Sequence, residues 1–246
     1  MDLVSIIMPC YNSEATIDAS IDSVKDQTYS NWELIVVDDN STDGTTEVVN
    51  SFLVDERIIL IKSTTNGGAG RARNIGLDIC KGRFVAFCDS DDCWKPDKLS
   101  KQLGFMKAND HALTFTSYLK KGLNTEDLIL AKASVDYREL LQNNWLGCLT
   151  VMYDKNIFDA YRFPEVRKRQ DWLMWLTLLE GGHIAYSLAD PLAIYNVRNG
   201  SLSNSGKFSL LRITWFIYRQ ALSFGILKAI LYTCQYLLIQ IRLKIK

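Results

Sequence analysis

The chain has 246 residues, of which 48% are hydrophobic, so it is long enough to bury the core of one large α/β domain and too apolar for intrinsic disorder. Its 28 basic and 28 acidic residues cancel, which gives no reason to expect a nucleic-acid partner. The charges are nevertheless unevenly placed. Eight arginines and lysines and no acidic residue follow Asp190, so the C-terminal part is basic and the rest is acidic.

The six cysteines predict neither a disulfide framework nor a zinc site. They form no Cys-x-x-Cys pair, and the chain has only two histidines, neither at ligand spacing to a cysteine. The first residues carry no signal-peptide pattern. We therefore expect reduced cysteines in a cytoplasmic protein.

The first hundred residues alternate short apolar runs with segments of helical spacing. Strands are predicted at 4–8, 32–37, 58–62 and 84–88, and helices from about 13–14, at 45–52, at 69–80 and around 96–106. Continuous apolar strands separated by helices predict a parallel sheet covered on both faces. Right-handed crossovers then bring the carboxyl ends of the strands to one edge, where ligands bind in open α/β sheets.

Polar segments directly follow three of these predicted strands, at 9–12, 38–41 and 89–92. A fourth loop, 66–74, is rich in glycine and carries two arginines near the start of a helix. Exposed amides and arginine suit an anion, although a plain loop is equally compatible with the glycines. The loop matches neither the dinucleotide-binding nor the P-loop pattern.

Three carboxylates, Asp89, Asp91 and Asp92, crowd the end of the strand at 84–88. Such carboxylates repel one another unless a cation lies between them, and hard oxygen ligands favour Mg²⁺ or Mn²⁺ completed by substrate phosphates. The alternative is a capped turn in which Asp and Ser begin the following helix. The short pattern alone does not decide between the two.

Five motifs in chain order identify a family that the chain resembles. They are residues 4–12 (VSIIMPCYN), 27–29 (QTY), 33–44 (ELIVVDDNSTDG), 72–76 (ARNIG) and 89–92 (DSDD). Over roughly residues 3–200 the chain resembles the family 2 glycosyltransferases of the GT-A fold. The resemblance implies an α/β fold, with a Rossmann-like, mostly parallel sheet flanked by helices. It also implies an inverting, metal-dependent transfer of a sugar from a nucleotide donor.

The resemblance implies a glycosyltransferase domain at 1–205, with a nucleotide-binding half at about 1–100 and an acceptor half at about 101–205. It places nucleotide-sugar contacts at nine positions: Pro9, Tyr11, Asn12, Glu14, Asp39, Arg71, Asp89, Ser90 and Arg198. Among these, Asp39 is expected to accept from the uracil N3–H, and Arg71 to lie beside the diphosphate. Arg198 belongs to a segment that is expected to close over the donor, with a solvated loop as the alternative.

The same resemblance implies different roles for the acidic residues. Asp91 is expected to contact a Mn²⁺ or Mg²⁺ ion directly and Asp89 to support it, while the role of Asp92 stays open. The segment 169–176 resembles the family's Glu-Asp-Trp stretch, with Gln170 in place of the glutamate. Asp171 is then the expected general base, and a helix N-cap is its structural alternative. Trp145 and Trp172 are candidates for an acceptor platform or for buried aromatics.

Residues 206–246 are expected to form a basic, amphipathic helical tail. An apolar stripe at helical spacing comprises Ile226, Leu227, Ile230, Leu231, Cys234, Leu237, Leu238 and Ile241. Its uninterrupted stretches fall short of a membrane span. An interfacial helix on an anionic membrane surface fits these residues, and packing on the catalytic domain is the alternative.

The leading hypothesis is an inverting glycosyltransferase in O-antigen or capsular polysaccharide synthesis, attached peripherally to the inner face of the cell membrane. It would transfer glucose, galactose or an N-acetylhexosamine from a UDP-sugar to a lipid-linked acceptor, a polyprenyl-diphosphate saccharide. A sugar nucleotidyltransferase is an alternative, but residues 8–12 do not form the triphosphate loop that it would need. A non-catalytic carbohydrate-binding relative is a second alternative, against which Asp89, Asp91 and Asp171 argue.

Overall fold

The computed structural model describes residues 1–197 and 207–245, apart from the side chains of 207–210 and 243–245. The first part of the chain contains β1 Val4–Cys10, α1 Ile17–Lys25, β2 Trp32–Asp38, α2 Thr45–Phe52, β3 Ile58–Lys62, α3 Ala69–Ile79, β4 Phe84–Phe87 and β5 Cys93–Trp94. The second half contains α4 Lys98–Asn109, β6 Leu113–Lys121, β7 Glu126–Ile129, β8 Ser134–Val135, α5 Tyr137–Gln142, β9 Met152–Asp154, α6 Lys155–Phe158, α7 Gln170–Glu180 and β10 Ala185–Asn196. Two further helices, α8 Lys207–Phe216 and α9 Ile226–Ile245, follow, with a π-helical turn at Ile217–Ala221 between them.

One mixed sheet joins the two halves. Strands β3, β2, β1 and β4 are adjacent in that order. They are parallel, as the alternation of strands and helices predicts. β9 lies antiparallel between β4 and β6, and β10 runs parallel to β6. The predicted α/β class with a mostly parallel sheet flanked by helices is confirmed.

Alternate side chains of β1 enter two different cores. Ile7 packs into the cluster that contains α3, α5 and α7, whereas Ile6 and Met8 pack with α1 on the other face. All three residues have no solvent-accessible surface, because both faces of the strand are covered, which explains its continuous apolar run. Helix α3 lies so close to β1 that a Cβ atom on Gly76 would stand 2.6 Å from a methyl group of Ile7.

Two helices begin later than the sequence predicts. α1 begins at Ile17 rather than near Ser13, because the Ser13 backbone amide donates to the Thr45 hydroxyl at 2.7 Å and the Ser13 hydroxyl hydrogen-bonds the Ser90 hydroxyl. α4 begins at Lys98 rather than at Pro96, since the Pro96 carbonyl accepts from the Thr28 amide at 2.8 Å. In both places a contact that the local pattern does not reveal holds the chain outside the helix.

The C-terminal helices have one packed face and one exposed face. Tyr218, Ala229 and Tyr236 are buried in the same cluster as Trp172 of α7. On the opposite face of α9, Leu227, Leu231, Cys234, Leu238 and Ile241 are exposed at helical spacing. Within the described residues, no helix combines the length and apolarity that a membrane crossing requires.

Candidate active site

The loops after β1 and β2 are fastened to each other by Asn12. Its amide donates to the Ser41 hydroxyl at 2.9 Å, and its side-chain oxygen accepts from the Thr42 amide at 2.8 Å. Asn12 has a φ of 48°, a left-handed conformation that asparagine tolerates better than most residues. In this structure Asn12 therefore shapes the loop, and its predicted contact with the nucleotide sugar stays a prediction.

The other predicted nucleoside contacts of the β1 loop differ in accessibility. Pro9 is buried within β1, and Tyr11 is 48% exposed at the end of the strand. Glu14 accepts from the Gly44 amide at 3.0 Å, immediately before α2, where a carboxylate is favourable. The Tyr11 ring is thus the part of this loop best exposed to pack against a base or ribose.

Asp39 joins the β2 loop to the glycine-rich loop after β3. Its two carboxylate oxygens accept from the amides of Gly67 and Gly68 at 2.9 and 2.6 Å, and its side chain is buried. Gly68 has a φ of 87°, which favours glycine. A carboxylate oxygen has more than one acceptor site, so the predicted bond from a uracil N3–H is compatible with both amide contacts.

The two arginines of the glycine-rich segment have different environments. Arg71 is exposed and donates to the Thr65 hydroxyl at 2.7 Å. Arg73 is buried and forms an ion pair with Asp89, whose side chain is 31% exposed. Two guanidinium nitrogens of Arg73, Nε and Nη1, are buried without a hydrogen-bond partner in the described residues.

Burial lowers the pKa of Arg73, but the charge of Asp89, the hydrogen bond to it and the charge of Asp171 outweigh burial and raise that pKa above its ordinary value. Arg73 is therefore held in its charged form beside Asp89 and within electrostatic reach of Asp171. The family resemblance predicts that Arg71 lies beside the diphosphate, and it assigns no role to Arg73. The sequence does contain a sign that Arg73 matters, because this residue belongs to the ARNIG motif.

The loop after β4 is held from two sides. The Ser90 hydroxyl hydrogen-bonds the Ser13 hydroxyl at 2.8 Å, which ties this loop to the loop after β1. Asp92, which is almost fully buried, accepts from the Asn196 amide at 3.0 Å. The Asn196 side chain donates to the Asp91 carbonyl at 2.7 Å. These contacts give Asp92, whose role the sequence leaves open, a structural task at the end of β10.

The described residues contain no group of three or more His, Cys, Asp or Glu side chains arranged to hold a metal ion. What the β4 loop offers is the carboxylate pair Asp89 and Asp91, both partly exposed, with Asp89 already paired to Arg73. Mg²⁺ and Mn²⁺ sites commonly use one or two carboxylates and take their other ligands from water and substrate phosphates. The donor set fits such a substrate-completed site and not a closed protein cage.

Asp171 lies in the first turn of α7, and two contacts bring this turn to the same edge of the sheet. Asn74 of α3 exchanges two hydrogen bonds of 2.8 Å with the backbone of Phe163. A Cβ atom on Gly70 would stand 3.2 Å from the Gln170 side chain, so the two helix starts are in close contact. The Asp171 carboxylate accepts from the Asn144 side-chain amide at 2.8 Å.

The two tryptophans that were candidates for an acceptor platform both hydrogen-bond to backbone carbonyl groups of the chain. Trp172 is buried and donates to the Leu140 carbonyl at 2.7 Å, so it is a core residue. Trp145 is partly buried and donates to the Glu139 carbonyl at 3.1 Å. Arg198 and the rest of its loop lie outside the described residues.

A family model described as "Glycosyl transferase family 2" matches residues 5–160. The chain belongs to glycosyl transferase family 2. It is a glycosyltransferase, which decides against the sugar nucleotidyltransferase and the non-catalytic binding protein.

Curated relatives agree with this assignment over nearly their whole length. The chain is 42% identical to the teichuronic acid biosynthesis glycosyltransferase TuaG of Bacillus subtilis, over 92% of this chain and 91% of that protein. It is 41% identical to WfgD of Escherichia coli, a UDP-Glc:α-D-GlcNAc-diphosphoundecaprenol β-1,3-glucosyltransferase, over 87% of this chain and 84% of that protein. The predicted kinship with bacterial polysaccharide glycosyltransferases is confirmed.

Solved structures confirm the GT-A fold. S. aureus TarS residues 1–349, in complex with UDP-GlcNAc, superpose with a TM-score of 0.76 at 22% identity, covering 96% of this chain and 72% of that chain. The mannosyltransferase PcManGT of Pyrobaculum calidifontis, in complex with GDP-Man and Mn²⁺, gives a TM-score of 0.69 at 20% identity, covering 94% of this chain and 69% of that chain. At these identities the likeness shows the fold alone.

Proposed function

We propose that this glycosyltransferase moves a hexose from a UDP-sugar to a polyprenyl-diphosphate-linked saccharide with inversion at the anomeric carbon. The observation that carries the proposal is the meeting of two helix starts at one edge of the sheet: α3 brings Arg73, paired with Asp89, and α7 brings Asp171 in its first turn. The site thus combines a place for a diphosphate with a carboxylate for the acceptor.

In the proposed reaction Asp171 takes the proton of the acceptor hydroxyl as that oxygen attacks the anomeric carbon. The bond from the anomeric carbon to the UDP oxygen breaks on the opposite face, so the sugar inverts and UDP leaves. Asn144 holds the carboxylate by the 2.8 Å hydrogen bond to one of its oxygens. Tyr11, exposed at the end of β1, packs against the nucleoside, and Asp39 accepts from the base.

The metal proposal is Mn²⁺ or Mg²⁺, held by Asp91 directly and by Asp89 in support. When bound, such an ion neutralises the charge that develops on the leaving diphosphate. The donor chemistry of the pair supports this, because hard carboxylate oxygens prefer these ions. Arg73 holds the Asp89 carboxylate in place through their ion pair.

The acceptor proposal comes from the relatives. WfgD and a further E. coli relative, WfaP, which is 36% identical to this chain, are both described as acting on α-D-GlcNAc-diphosphoundecaprenol with UDP-Glc as the donor. By their similarity we propose a lipid-linked diphosphate acceptor here, with UDP-glucose as the first donor to test. A lipid-linked acceptor requires the enzyme to work at a membrane surface.

We also propose peripheral attachment to the inner face of the cell membrane through α8 and α9. Leu227 is 84% exposed, and Leu231 and Leu238 are each more than half exposed along the outer face of α9. Trp215 of α8 is exposed as well. An apolar face of this size that is left open to solvent marks an interaction site, and the basic residues of this region suit anionic lipid.

A transfer assay tests the proposed function. The full chain would be incubated with a panel of UDP-sugars, a short-chain prenyl-diphosphate GlcNAc acceptor and Mn²⁺, and the products followed by mass spectrometry. We expect one UDP-hexose to be transferred, EDTA to stop the reaction, and nuclear magnetic resonance to show an inverted anomeric centre. Failure of every UDP-sugar, or retention of configuration, contradicts the proposal.

Two carboxylate variants separate the proposed roles in the same assay. Asp91→Asn is expected to lower transfer at least about 100-fold and to weaken the Mn²⁺ dependence of UDP binding. Asp171→Asn is expected to bind the UDP-sugar normally and to lose transfer, because only the proton acceptor is removed. Normal transfer by Asp171→Asn would eliminate Asp171 as the base.

A further inference from the structure

The loop that orients Asp171 is itself held by the last helix of the chain. Asn144 donates to the Asp171 carboxylate at 2.8 Å, and the adjacent Asn143 is buried. The Asn143 side-chain oxygen accepts from the Gln240 side-chain amide of α9 at 2.9 Å. Two consecutive asparagines thus connect α9 to the proposed base through one polar chain.

The orientation of Asn144 follows from its neighbours. Its amide nitrogen must face Asp171, since the opposite orientation would place two oxygens against each other. Its side-chain oxygen is buried and has no hydrogen-bond partner in the described residues. Asn144 is therefore anchored only at its donor end, and the position of its backbone depends on the loop, which Gln240 holds through Asn143.

A second set of contacts holds the start of α7 to the same helix. Arg169, directly before α7, has a φ of 61° and lies 3.4 Å from the Tyr236 hydroxyl oxygen through its guanidinium. The Tyr236 ring stacks on Trp172, the neighbour of Asp171, with centroids 5.4 Å apart. α9 therefore contacts the residues on both sides of the base as well as the loop that binds its carboxylate.

We propose that α9 is a positioning element for Asp171 and that Gln240 is its principal positioning residue. The inner face of α9 sets the geometry of the base, while the outer face presents the exposed leucines described above. This inference deepens the proposed function and rests on Asp171 being the base. It assigns to the C-terminal helix a catalytic consequence that attachment to a membrane alone would not have.

The principal test compares Gln240→Ala with a matched control, Gln220→Ala, an exposed glutamine of the same C-terminal region. A short-chain, water-soluble acceptor keeps membrane binding out of the measurement. We expect Gln240→Ala to lower kcat about 10-fold to 100-fold at an unchanged Kd for the UDP-sugar, since a misplacement of about 1 Å costs this much. Gln220→Ala is expected to retain the wild-type kcat.

A length exchange tests whether the hydrogen bond between residues 143 and 240, rather than either side chain alone, carries the effect. Asn143→Gln combined with Gln240→Asn moves one methylene across the hydrogen bond and keeps its total length. We expect the kcat of the double variant to be close to that of the wild type and well above that of Gln240→Ala. Asn143→Gln alone is expected to have a lower kcat than the wild type, because its longer side chain does not fit opposite Gln240. A double variant as slow as Gln240→Ala would overturn the proposal.

A readout independent of activity separates this inference from the proposed function. Hydrogen exchange followed by mass spectrometry would report on residues 139–147 and 168–175 in the wild type and in Gln240→Ala. We expect faster exchange in both segments of the variant and unchanged exchange in β1. Unchanged exchange in both segments overturns the inference even if transfer is found, whereas faster exchange in an enzyme without transfer supports the link to α9 and contradicts only the proposed function.

Discussion

Two arginines separated by a single residue have different environments because their side chains point in different directions from α3. Successive residues of a helix rotate by about 100°, so Arg71 and Arg73 point to nearly opposite sides of α3. Arg73 enters the core and meets Asp89, while Arg71 stays in solvent beside Thr65. The motif that contains Arg73 identifies the family, but only the packing of α3 shows which arginine supports the acidic pair.

Exchanging each arginine for methionine tests this difference. Arg73→Met is expected to lower the free energy of unfolding by about 2–3 kcal/mol, because Asp89 loses its buried partner, and to lower kcat about 100-fold. Arg71→Met is expected to change the free energy of unfolding by less than about 0.5 kcal/mol and to raise the KM for the UDP-sugar. Urea unfolding and steady-state kinetics measure both. Equal effects of the two substitutions would contradict the distinction.

Lys98 is a second residue whose environment the sequence does not reveal. It is fully buried at the start of α4, donates to the Gln102 side-chain oxygen at 2.6 Å and lies over the Trp94 ring. Burial lowers the pKa of Lys98 to about 7, against a small opposing effect of Cys88. An unfolded chain then binds one proton more than the folded chain between pH 7 and the ordinary lysine pKa.

Lys98 is therefore expected to contribute a rise in stability of about 1 kcal/mol per pH unit between pH 7 and 8.5, measured as the difference between the wild type and Lys98→Met. The buried thiols act in the opposite direction as the pH approaches the ordinary thiol pKa. Burial raises the pKa of Cys10, Cys80, Cys88, Cys93 and Cys148, so the folded chain retains thiol protons that the unfolded chain loses. Urea unfolding of the wild type and of Lys98→Met at pH 7.0, 7.75 and 8.5 checks this. A wild-type slope that Lys98→Met does not reduce would show that another group is responsible.

Among the helices, α9 has one face that packs on the domain and one apolar face that is exposed to solvent. The inner face packs on α5 and α7, and the outer face carries an uncovered apolar stripe. Removing residues 206–246 would therefore delete the stripe and also expose Trp172 and its cluster. A loss of membrane binding by such a truncation could then come from the missing stripe or from damage to the core. Substitutions confined to the outer face give the cleaner test.

A triple variant with Leu227→Gln, Leu231→Gln and Leu238→Gln is expected to leave the melting temperature within about 2 °C of wild type, since these side chains are exposed. We expect its binding to vesicles to fall at least about 10-fold in flotation assays, because the apolar face no longer inserts. The control is a second triple variant, Val54→Gln, Ile79→Gln and Ile157→Gln, whose residues are exposed elsewhere. Equal loss of binding in both variants would remove α9 as the attachment surface.

For the whole molecule, the separation of an acidic body from a basic C-terminal part predicts an oriented encounter with an anionic surface. Arg212 is exposed on α8, and Lys228 and Arg242 are exposed on α9, the helix that carries the apolar stripe. Each basic residue near an anionic leaflet contributes about 1 kcal/mol, and salt screens that attraction. The body, which carries the net negative charge, is repelled by the same surface.

Vesicle binding is therefore expected to depend on both lipid charge and salt. We expect binding to vesicles with about 30% anionic lipid to weaken about 10-fold between 0.05 and 0.5 M NaCl, and neutral vesicles to bind poorly at either concentration. Co-sedimentation measures this. Binding that is strong on neutral vesicles and indifferent to salt would mean that apolar insertion acts without the basic residues.

The sequence by itself determined the alternation of strands and helices, the parallel direction of the first strands and the gathering of polar loops at one edge. Those features follow from periodicity and short motifs, which act over a few residues. It also indicated the family, because five motifs occur in order over the first hundred residues.

Only the tertiary structure decided which side chains meet. Asp92 is bound by Asn196, which is 104 residues away, and Asn143 is bound by Gln240, which is 97 residues away. Arg73 rather than Arg71 reaches Asp89, and α9 both packs on α7 and exposes a stripe. These pairings depend on how whole elements pack, and no local pattern encodes a partner at that separation.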